Sequence, residues 1–256
     1  MDYSPIISQF LKLWWLIPIL LVVGLLQSPW FKGVTGEALV RLAARLRLPR
    51  DTYHPIHNVT LPTPDGTTQI DHILVSRFGV FVVETKHMKG WIFGSEKDAQ
   101  WTQKIFKHSF KFQNPLSQNY KHVKALEAAL GIPPDVIHSV VVFSGDCTFK
   151  THLPANVARG GRYITHIKSF QQQVLSDVQV QETLARIQAV RLPKSLATTR
   201  RHINNLRARR DPTAERACPR CGSSMVVRTV KQGRNAGTQF WGCSSYPKCK
   251  AMQSLA

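Results

Sequence analysis

Acidic residues are scarce in this sequence: 15 Asp and Glu stand against 34 Lys and Arg in 256 residues, a formal net charge of +19. There is also no internal repeat and no low-complexity tract, and the composition is that of a folded protein rather than a disordered one. So one-sided a charge excludes a neutral exterior and favours a polyanionic partner, either nucleic acid or an anionic membrane face. A generally basic, soluble surface is the alternative.

Long apolar runs are scarce as well, and the longest lies at the N-terminus. From Leu13 to Phe31 the sequence has no charged residue and carries tryptophans at both ends, which suit the two membrane interfaces. As a helix this run would reach about 28 Å, close to the thickness of the hydrocarbon layer. We therefore expect one transmembrane helix within residues 1–32.

Lysine and arginine residues come directly after this run. By the positive-inside rule we expect an inner-membrane protein whose C-terminal bulk is in the cytoplasm. These cations are Lys32, Arg41, Arg45, Arg47 and Arg50. A cleaved signal peptide is the competing interpretation, but Asp2 precedes the first cation and no convincing small-residue cleavage site follows the run.

Only five cysteines are present, and four of them form two close pairs near the C-terminus, Cys218 with Cys221 and Cys243 with Cys249. Two cysteine turns separated by about twenty residues are what a tetrahedral Zn²⁺ site requires. Four thiolates leave no open position, so the zinc would be structural and would stabilise a module with little core. Disulfides are the alternative, disfavoured in a reducing cytoplasm. Cys147 is expected to be a small buried residue.

Between the apolar run and the cysteines, residues 33–190 predict a mixed α/β domain with a central sheet. Helical patterns cover 38–46, 115–131 and 168–190, and strand patterns cover 58–64, 70–76, 79–86, 136–145 and 160–167. The basic segment 191–216 predicts a linker, either a flexible connector or a basic helix. Residues 217–256 form the cysteine module.

Two acids and a lysine stand on the predicted hairpin of this domain. Glu84 and Lys86 are two positions apart on one strand and therefore share a face, and the hairpin can bring Asp71 alongside Glu84. Such oxygen ligands bind Mg²⁺, and the lysine can orient a water or stabilise charge on a phosphate. An exposed strand end with a Glu84–Lys86 salt bridge is the alternative. His72, His87 and His108 lie nearby, and surface or packing roles are expected for them.

The cysteine module resembles the C4 zinc ribbons of bacterial type IA DNA topoisomerases through "CPRCG", "MVVR" and "FWGCSSYPKC". That resemblance implies binding of single-stranded DNA, in which bases stack on aromatic rings and Lys or Arg side chains pair with the backbone phosphates. The candidate residues for these contacts are Arg228, Lys231, Arg234, Phe240, Trp241, Tyr246, Lys248 and Lys250. At least one of the aromatic residues is expected to pack the small core instead.

Residues 36–144 resemble the nuclease-related domain, a family similar to the restriction-endonuclease-like PD-(D/E)xK fold. The resemblance rests on "GE" at Gly36, "IDHILVSRFGVFVVETK", "GWIFG", "NPLSQN" and "VVVFSG". It implies a mixed sheet flanked by helices, with Glu37, Asp71 and Glu84 holding Mg²⁺ or Mn²⁺ and Lys86 as the catalytic lysine. Accessory polar positions of the family match Gln103, Asn114 and Gln118.

Taken together, these features favour a membrane-anchored, metal-dependent nuclease that acts on nucleic acid, with DNA favoured over RNA. A non-catalytic protein that tethers DNA or RNA to the membrane is the second hypothesis, because it would use the same cations. A basic scaffold that binds anionic lipid is a third, and it leaves the cysteine module unexplained.

Overall fold

The computed structural model describes residues 15–64, 66–211, 215–233 and 236–254. The helices are α1 (Leu16–Gln27), α2 (Pro29–Arg47), α3 (Pro115–Leu130), α4 (Arg162–Lys168), α5 (Asp177–Val190) and α6 (Leu196–Arg210). The strands are β1 (Tyr53–Thr63), β2 (Gly66–Ser76), β3 (Gly79–His87), β4 (Gly90–Phe93), β5 (Gln100–Ile105), β6 (His108–Gln113), β7 (Ile137–Ser144), β8 (Cys147–Phe149), β9 (Val157–Arg159), β10 (Met225–Thr229), β11 (Gln239–Cys243) and β12 (Met252–Ser254).

The apolar N-terminal run is not one helix, because it breaks at Ser28. Ser28 has an extended backbone (ψ 145°) and caps α2 by accepting a hydrogen bond from the Phe31 N–H at 3.2 Å. A residue before proline avoids the helical region, and Pro29 suits a first helical turn. In the described part of the chain no single helix is long and apolar enough to cross a membrane; α1 and Trp30–Arg47 meet that test only jointly, bent by 57°.

A five-stranded sheet in the order β1-β2-β3-β7-β9 forms the centre of the fold. Strands β1, β2 and β3 form an antiparallel meander. Strand β7 runs parallel to β3, and the connection between them contains β4, β5, β6 and α3. Helix α3 starts at the Asn114 cap and ends at Gly131, whose φ of 62° is left-handed, as a glycine C-cap requires. The mixed α/β architecture predicted from the sequence is confirmed.

Both faces of this sheet are covered by helices, and the two sets of core residues alternate along the strands. One core lies against α3 and α5 and includes Val80 and Val82 of β3. The other lies against α2 and α4 and includes Phe81 and Val83. By this alternation, even-numbered residues of β3 face α3 and odd-numbered residues face α2. The registers of β2 and β3 therefore decide which side chains can meet at the end of the hairpin.

The strand predicted over 160–167 is wrong, because this segment is helix α4. Its apolar residues Tyr163, Ile164 and Ile167 are buried against α2, and the Tyr163 hydroxyl donates to the Val40 carbonyl at 2.6 Å. A short β-branched run fits a strand or a helix equally well, and packing against α2 decides here. The helix predicted over 168–190 is present only from Asp177 onward, because α4 ends at Lys168 and α5 starts at a Ser176 capping box with Gln179.

A second sheet, in the order β6-β5-β4-β8, continues from the ends of β3 and β7. Its inner face packs Ile92, Trp101 and Cys147 around Phe143 of β7, so Cys147 is buried as expected. The basic segment contains helix α6, which contacts the β1–β2 hairpin through a 3.0 Å approach of His202 Nδ1 to Thr67 Oγ1. Strands β10, β11 and β12 form the antiparallel sheet of the cysteine module.

Candidate functional site

The end of the β2–β3 hairpin brings the two predicted acids together. His72 pairs with Val83 and Ile73 with Val82, so the next step of this register sets Asp71 opposite Glu84, on the same side of the ladder. There the Asp71 Oδ2 accepts a hydrogen bond from the Thr85 N–H at 2.8 Å. The Asp71 side chain, rather than a backbone carbonyl, therefore pairs with this N–H at the end of the β2–β3 ladder. The side-by-side arrangement expected from the sequence is therefore present.

Glu84 is the most connected residue of this cluster, although its side chain is only 3 % exposed. Its Oε1 accepts from Lys86 Nζ and from Gln118 Nε2, each at 2.7 Å. Its Oε2 lies 3.2 Å from Nε2 of His122, one turn further along α3. Burial alone would raise the pKa of Glu84, but Lys86 and His122 offset it and hold that pKa below its ordinary value. Glu84 is therefore ionised at neutral pH.

Lys86 is held between this carboxylate and an amide. Its Nζ donates to Glu84 Oε1 at 2.7 Å and to Gln118 Oε1 at 2.8 Å, while 21 % of the side chain stays exposed. Glu84, Lys86 and Gln118 thus form a closed triangle of hydrogen bonds. The triangle fixes the ammonium at the edge of the site, where it can meet an anionic group.

Asp71 has the opposite electrostatic environment. Burial and the neighbouring carboxylates of Glu84 and Glu37 raise the pKa of Asp71 well above its ordinary value, against the lowering effect of the Thr85 N–H. Glu37 reaches this region because Gly36 lets α2 approach the strand ends: a Cβ on Gly36 would lie 2.6 Å from Ser144 Oγ. Glu37 itself pairs with Arg41 at 2.9 Å.

These oxygens fit a hard divalent cation. Among the described residues, Glu84 Oε2 accepts no hydrogen bond of good geometry although it is buried, and a cation would relieve the repulsion between Asp71 and Glu84. The three acids are not a compact cage: within the described residues, only four cysteines place their ligand atoms within 4.8 Å of one another. Asp71 and Glu84 are the residues that would hold Mg²⁺ or Mn²⁺, while Glu37, the third acid of the predicted set, is paired with Arg41.

The cysteine cluster is compact. Cys218 Sγ lies 3.7 Å from Cys249 Sγ, and Cys221 Sγ lies 3.4 Å from Cys243 Sγ, whereas a tetrahedral zinc site has sulfur–sulfur edges of about 3.8 Å. Hydrogen bonds from Ser223 lower the pKa of Cys221 to about 6, and burial raises the pKa of Cys243 to about 11. The four sulfurs therefore fit Zn²⁺, since a cation among them allows all four to ionise.

Comparison with known proteins identifies two parts of the chain. Residues 32–144 match the family model described as nuclease-related domain, and residues 215–256 match the one described as topoisomerase DNA binding C4 zinc finger. An uncharacterized protein of Bacillus anthracis is 42 % identical over 163 residues, which span 63 % of this chain and 74 % of that protein. The chain belongs to the nuclease-related-domain family. No solved structure matches it.

The two matches indicate a nucleic-acid-binding protein, and the ribbon is of a DNA-binding type. In the ribbon of this nuclease-related-domain protein, Trp241 is 2 % exposed and packs beside the cysteines, with the Arg216 guanidinium 4.8 Å from its ring. Its faces are therefore not available for base stacking, as expected for at least one of the three aromatics. Tyr246 is 60 % exposed and Phe240 is half-buried.

The basic residues predicted to contact phosphates are at the ribbon surface, for those residues that the structure describes. Arg228 lies 5.6 Å from the Tyr246 ring, so a cation and an exposed aromatic stand together. Arg228, Lys231, Lys248 and Lys250 are exposed. Arg234 lies outside the described residues.

The accessory polar residues of the nuclease-related domain separate into two groups. Gln118 belongs to the Glu84–Lys86 triangle. Asn114 does not: it is buried at the start of α3, where Nδ2 donates to three carbonyls of the 95–98 loop and Oδ1 accepts from the Leu116 N–H. Gln103 lies in the second sheet and donates to the Lys89 carbonyl. Of the accessory residues, Gln118 alone meets the acids.

Sequence reasoning missed His122 and passed over a signal that could have found it. His122 lies four residues after Gln118, so the two share one face of α3 and both reach Glu84. The three histidines considered from the sequence do not contact Glu84. His72 Nδ1 lies 3.0 Å from Nδ1 of His57 on the neighbouring strand β1, and His87 Nδ1 lies 3.2 Å from Ser144 Oγ. His108 is exposed in β6.

A groove of about 780 Å³ lies beside the site, since Gln118 and His122, which both contact Glu84, line it. Leu206 of α6 and Met252 of the ribbon also line it. Cations along it include Lys121, Lys124 and Arg216. The groove therefore joins the acid–lysine cluster to the DNA-binding ribbon.

Proposed function

We propose that this protein is a membrane-anchored, metal-dependent nuclease that acts on DNA, and that its ribbon holds single-stranded DNA beside the acid–lysine cluster. The observation that carries the proposal is the meeting of Asp71, Glu84 and Lys86 at the end of one hairpin. A groove whose lining includes Lys121, Lys124 and Arg216 lies beside them. A protein that only binds phosphates gains nothing from carboxylates placed where phosphates approach.

The chain's own residues define the chemistry of a phosphodiester cut. Asp71 and Glu84 would hold Mg²⁺ or Mn²⁺, which supplies Lewis acidity toward a phosphate oxygen and toward the attacking water. Lys86 Nζ is positioned to donate to the phosphate oxygen on which charge grows. Gln118 orients that ammonium, and His122 Nε2 lies 3.2 Å from the second oxygen of Glu84. Arrival of a phosphate would exchange the hydrogen bond of Lys86 with Glu84 for one with substrate.

One observation favours a second candidate, a non-catalytic tether for DNA or RNA. Lys86 and Glu84 already neutralise each other in a buried ion pair, and a pair of this kind can serve structure alone. Such a protein would use the same ribbon and the same groove cations. The two candidates differ only in whether bound nucleic acid is cut.

The test is cleavage by the full chain of labelled single- and double-stranded DNA and RNA with Mg²⁺, Mn²⁺ or EDTA. Asp71→Ala and Lys86→Ala are the test variants. Lys89→Ala is the matched control, because Lys89 is an exposed lysine three positions further along the chain. Metal-dependent cutting that is lost in both test variants and kept in the control supports the nuclease. Binding without cutting under every condition would select the tether.

The membrane anchor and the inner-membrane location, with the C-terminal bulk in the cytoplasm, are part of the proposal. They are supported by the apolar run from Leu13 to Phe31, its terminal tryptophans and the cations that follow. Membrane fractionation with alkaline extraction, beside a variant lacking residues 1–32, tests the anchor. Protease access to a C-terminal tag in spheroplasts tests the orientation, and digestion of the tag from outside would overturn it.

A further inference from the structure

The outer face of the second sheet carries a row of cations around an exposed tryptophan. Trp91 of β4 pairs with Lys104 of β5, which pairs with Ser109 of β6; on its other side Trp91 pairs with Thr148 of β8. Cross-strand partners project to the same face. The register therefore places Trp91 in the middle of a four-strand row.

The neighbouring row on that face has the same character. Phe93 pairs with Thr102, and Thr102 with Lys111. Lys150 continues β8, since its N–H donates to the Ile92 carbonyl at 2.9 Å, and its ammonium lies 4.5 Å from the centre of the Trp91 ring. Three lysines thus surround two aromatic rings, and the four strands contain no Asp or Glu.

This face is open. Trp91 is 48 % exposed, and Lys111, Thr148 and Lys150 are exposed, whereas the opposite face packs the Trp101 core. No helix of the described chain packs closely enough on β4, β5 or β6 to cover them. About half of the Trp91 side chain is therefore accessible to a partner from solvent.

The hairpin tip beside this face repeats the pattern. Phe106, two residues after Lys104, is 92 % exposed and has a φ of 51°, in the left-handed region that non-glycine residues rarely adopt. Lys107 follows it. The backbone therefore holds a third aromatic ring out from the sheet, next to further positive charge.

From this geometry we infer that the outer face of the β6-β5-β4-β8 sheet is a second nucleic-acid site, which binds single-stranded DNA or RNA by stacking bases on Trp91 and pairing phosphates with Lys104, Lys111 and Lys150. Aromatic rings on a basic sheet face take up unpaired bases because every base offers a ring face, whereas paired bases are hidden inside a duplex. The absence of acids on these strands matches a polyanion. This inference requires binding only and stands whether or not the protein cuts.

The test is photo-crosslinking of the full chain to a bromodeoxyuridine-substituted single strand in EDTA, with peptide mapping that separates this sheet from the ribbon. A crosslink on the peptide that contains Trp91, absent in Trp91→Ala, is expected. Affinity should fall about tenfold in Trp91→Ala and be largely kept in Trp91→Phe, which preserves a stacking face. Crosslinks confined to the ribbon would overturn the inference.

A charge variant separates a local effect from one of net charge. Lys104→Glu with Lys150→Glu should weaken single-strand binding and flatten its salt dependence by about 0.7 for each phosphate that is no longer neutralised. The matched control is Arg162→Glu with Lys168→Glu on α4, both exposed cations, which changes net charge equally. Equal losses of affinity in both pairs, a preference for duplex, or a loss confined to phosphatidylglycerol vesicles would each overturn the inference.

Discussion

The cysteine cluster and the acid–lysine cluster are both charged constellations, but they differ in how complete they are. The four sulfurs lie within 4.8 Å of one another and form a complete set of ligands for one metal ion. Asp71 and Glu84 stand opposite each other, yet Glu84 already bonds to Lys86 and Gln118. A closed ligand set is typical of a structural metal, and a partly satisfied, open one is typical of a site that exchanges partners.

The difference also shows in what surrounds each cluster. The ribbon has a core of only a few residues around its cysteines, so its fold depends on the ion. The acid–lysine cluster lies at the end of a sheet with a large core on each face, so its scaffold does not. Disrupting the cysteine cluster should therefore unfold the ribbon, whereas disrupting the acid–lysine cluster should abolish catalysis and leave the domain folded.

The largest effect is expected on removing zinc from the ribbon. Chelation or Cys243→Ser should unfold residues 215–254 while the central sheet stays folded, because zinc binding to such modules contributes about 10–16 kcal/mol. Hydrogen exchange measured by mass spectrometry should show loss of protection in β10, β11 and β12, with the central sheet unchanged. Cys147→Ser, a buried cysteine away from the cluster, controls for the substitution and should leave the zinc content unchanged. Protection of β11 that survives zinc removal would contradict the prediction.

The next largest effect concerns chemistry without unfolding. Lys86→Ala should lower the rate of DNA hydrolysis by about 10²–10³, the usual loss when a group that stabilises transition-state charge is removed. The variant should stay folded at 25 °C but melt at a lower temperature, because the buried Glu84 carboxylate loses its ion-pair partner. DNA affinity in EDTA should change little, and Lys89→Ala should match the wild type in all three measurements. Equal rates in Lys86→Ala and wild type would show that any cutting takes place elsewhere on the protein.

Much of this contrast could be predicted from the sequence. The spacing of Cys218, Cys221, Cys243 and Cys249 fixes their proximity, because each short turn supplies two ligands. Strand alternation likewise places Glu84 and Lys86 on one face. Both signals are local, so they need no knowledge of the tertiary fold.

Other features depended on long-range packing or on weaker signals. His122 reaches Glu84 only because α3 lies across β3, far along the chain from it. Residues 162–168 form a helix because α2 offers a surface for Tyr163, although the short run also fits a strand. At Ser28–Pro29 the sequence did hold a break signal, but the hydropathy of the run outweighed it.

A smaller effect, on the free energy of unfolding, should distinguish Asn114 from Gln103, the two accessory residues that do not contact Asp71 or Glu84. Asn114→Ala should lower the free energy of unfolding of the α/β domain by about 2 kcal/mol, since a buried amide that caps α3 and bonds to three carbonyls is lost. Gln103→Ala, which removes one exposed hydrogen bond, should lower it by less than about 0.5 kcal/mol. Urea unfolding followed by tryptophan fluorescence measures both. Similar values for the two variants would show that the 95–98 loop is not held by Asn114.

The smallest effect has the opposite sign, a gain in stability. The pKa of Asp71 is raised in the folded protein, so its stabilising contribution is present below the ordinary carboxyl pKa and is lost as pH rises through the folded value. Asp71→Asn keeps an oxygen for the Thr85 N–H but carries no charge. In EDTA at neutral pH it should therefore melt about 2–4 °C above the wild type, a gain of roughly 1 kcal/mol.

The gain should shrink as pH falls, because the wild-type carboxyl then also becomes neutral. Added Mg²⁺ should reverse the order at neutral pH, since the cation stabilises only the protein that keeps both carboxylates. Melting curves with and without Mg²⁺ across this pH range check both points. A variant that is less stable than the wild type in EDTA at neutral pH would mean that repulsion between Asp71 and Glu84 is not what leaves this site open, and the contrast with the cysteine cluster would then need another cause.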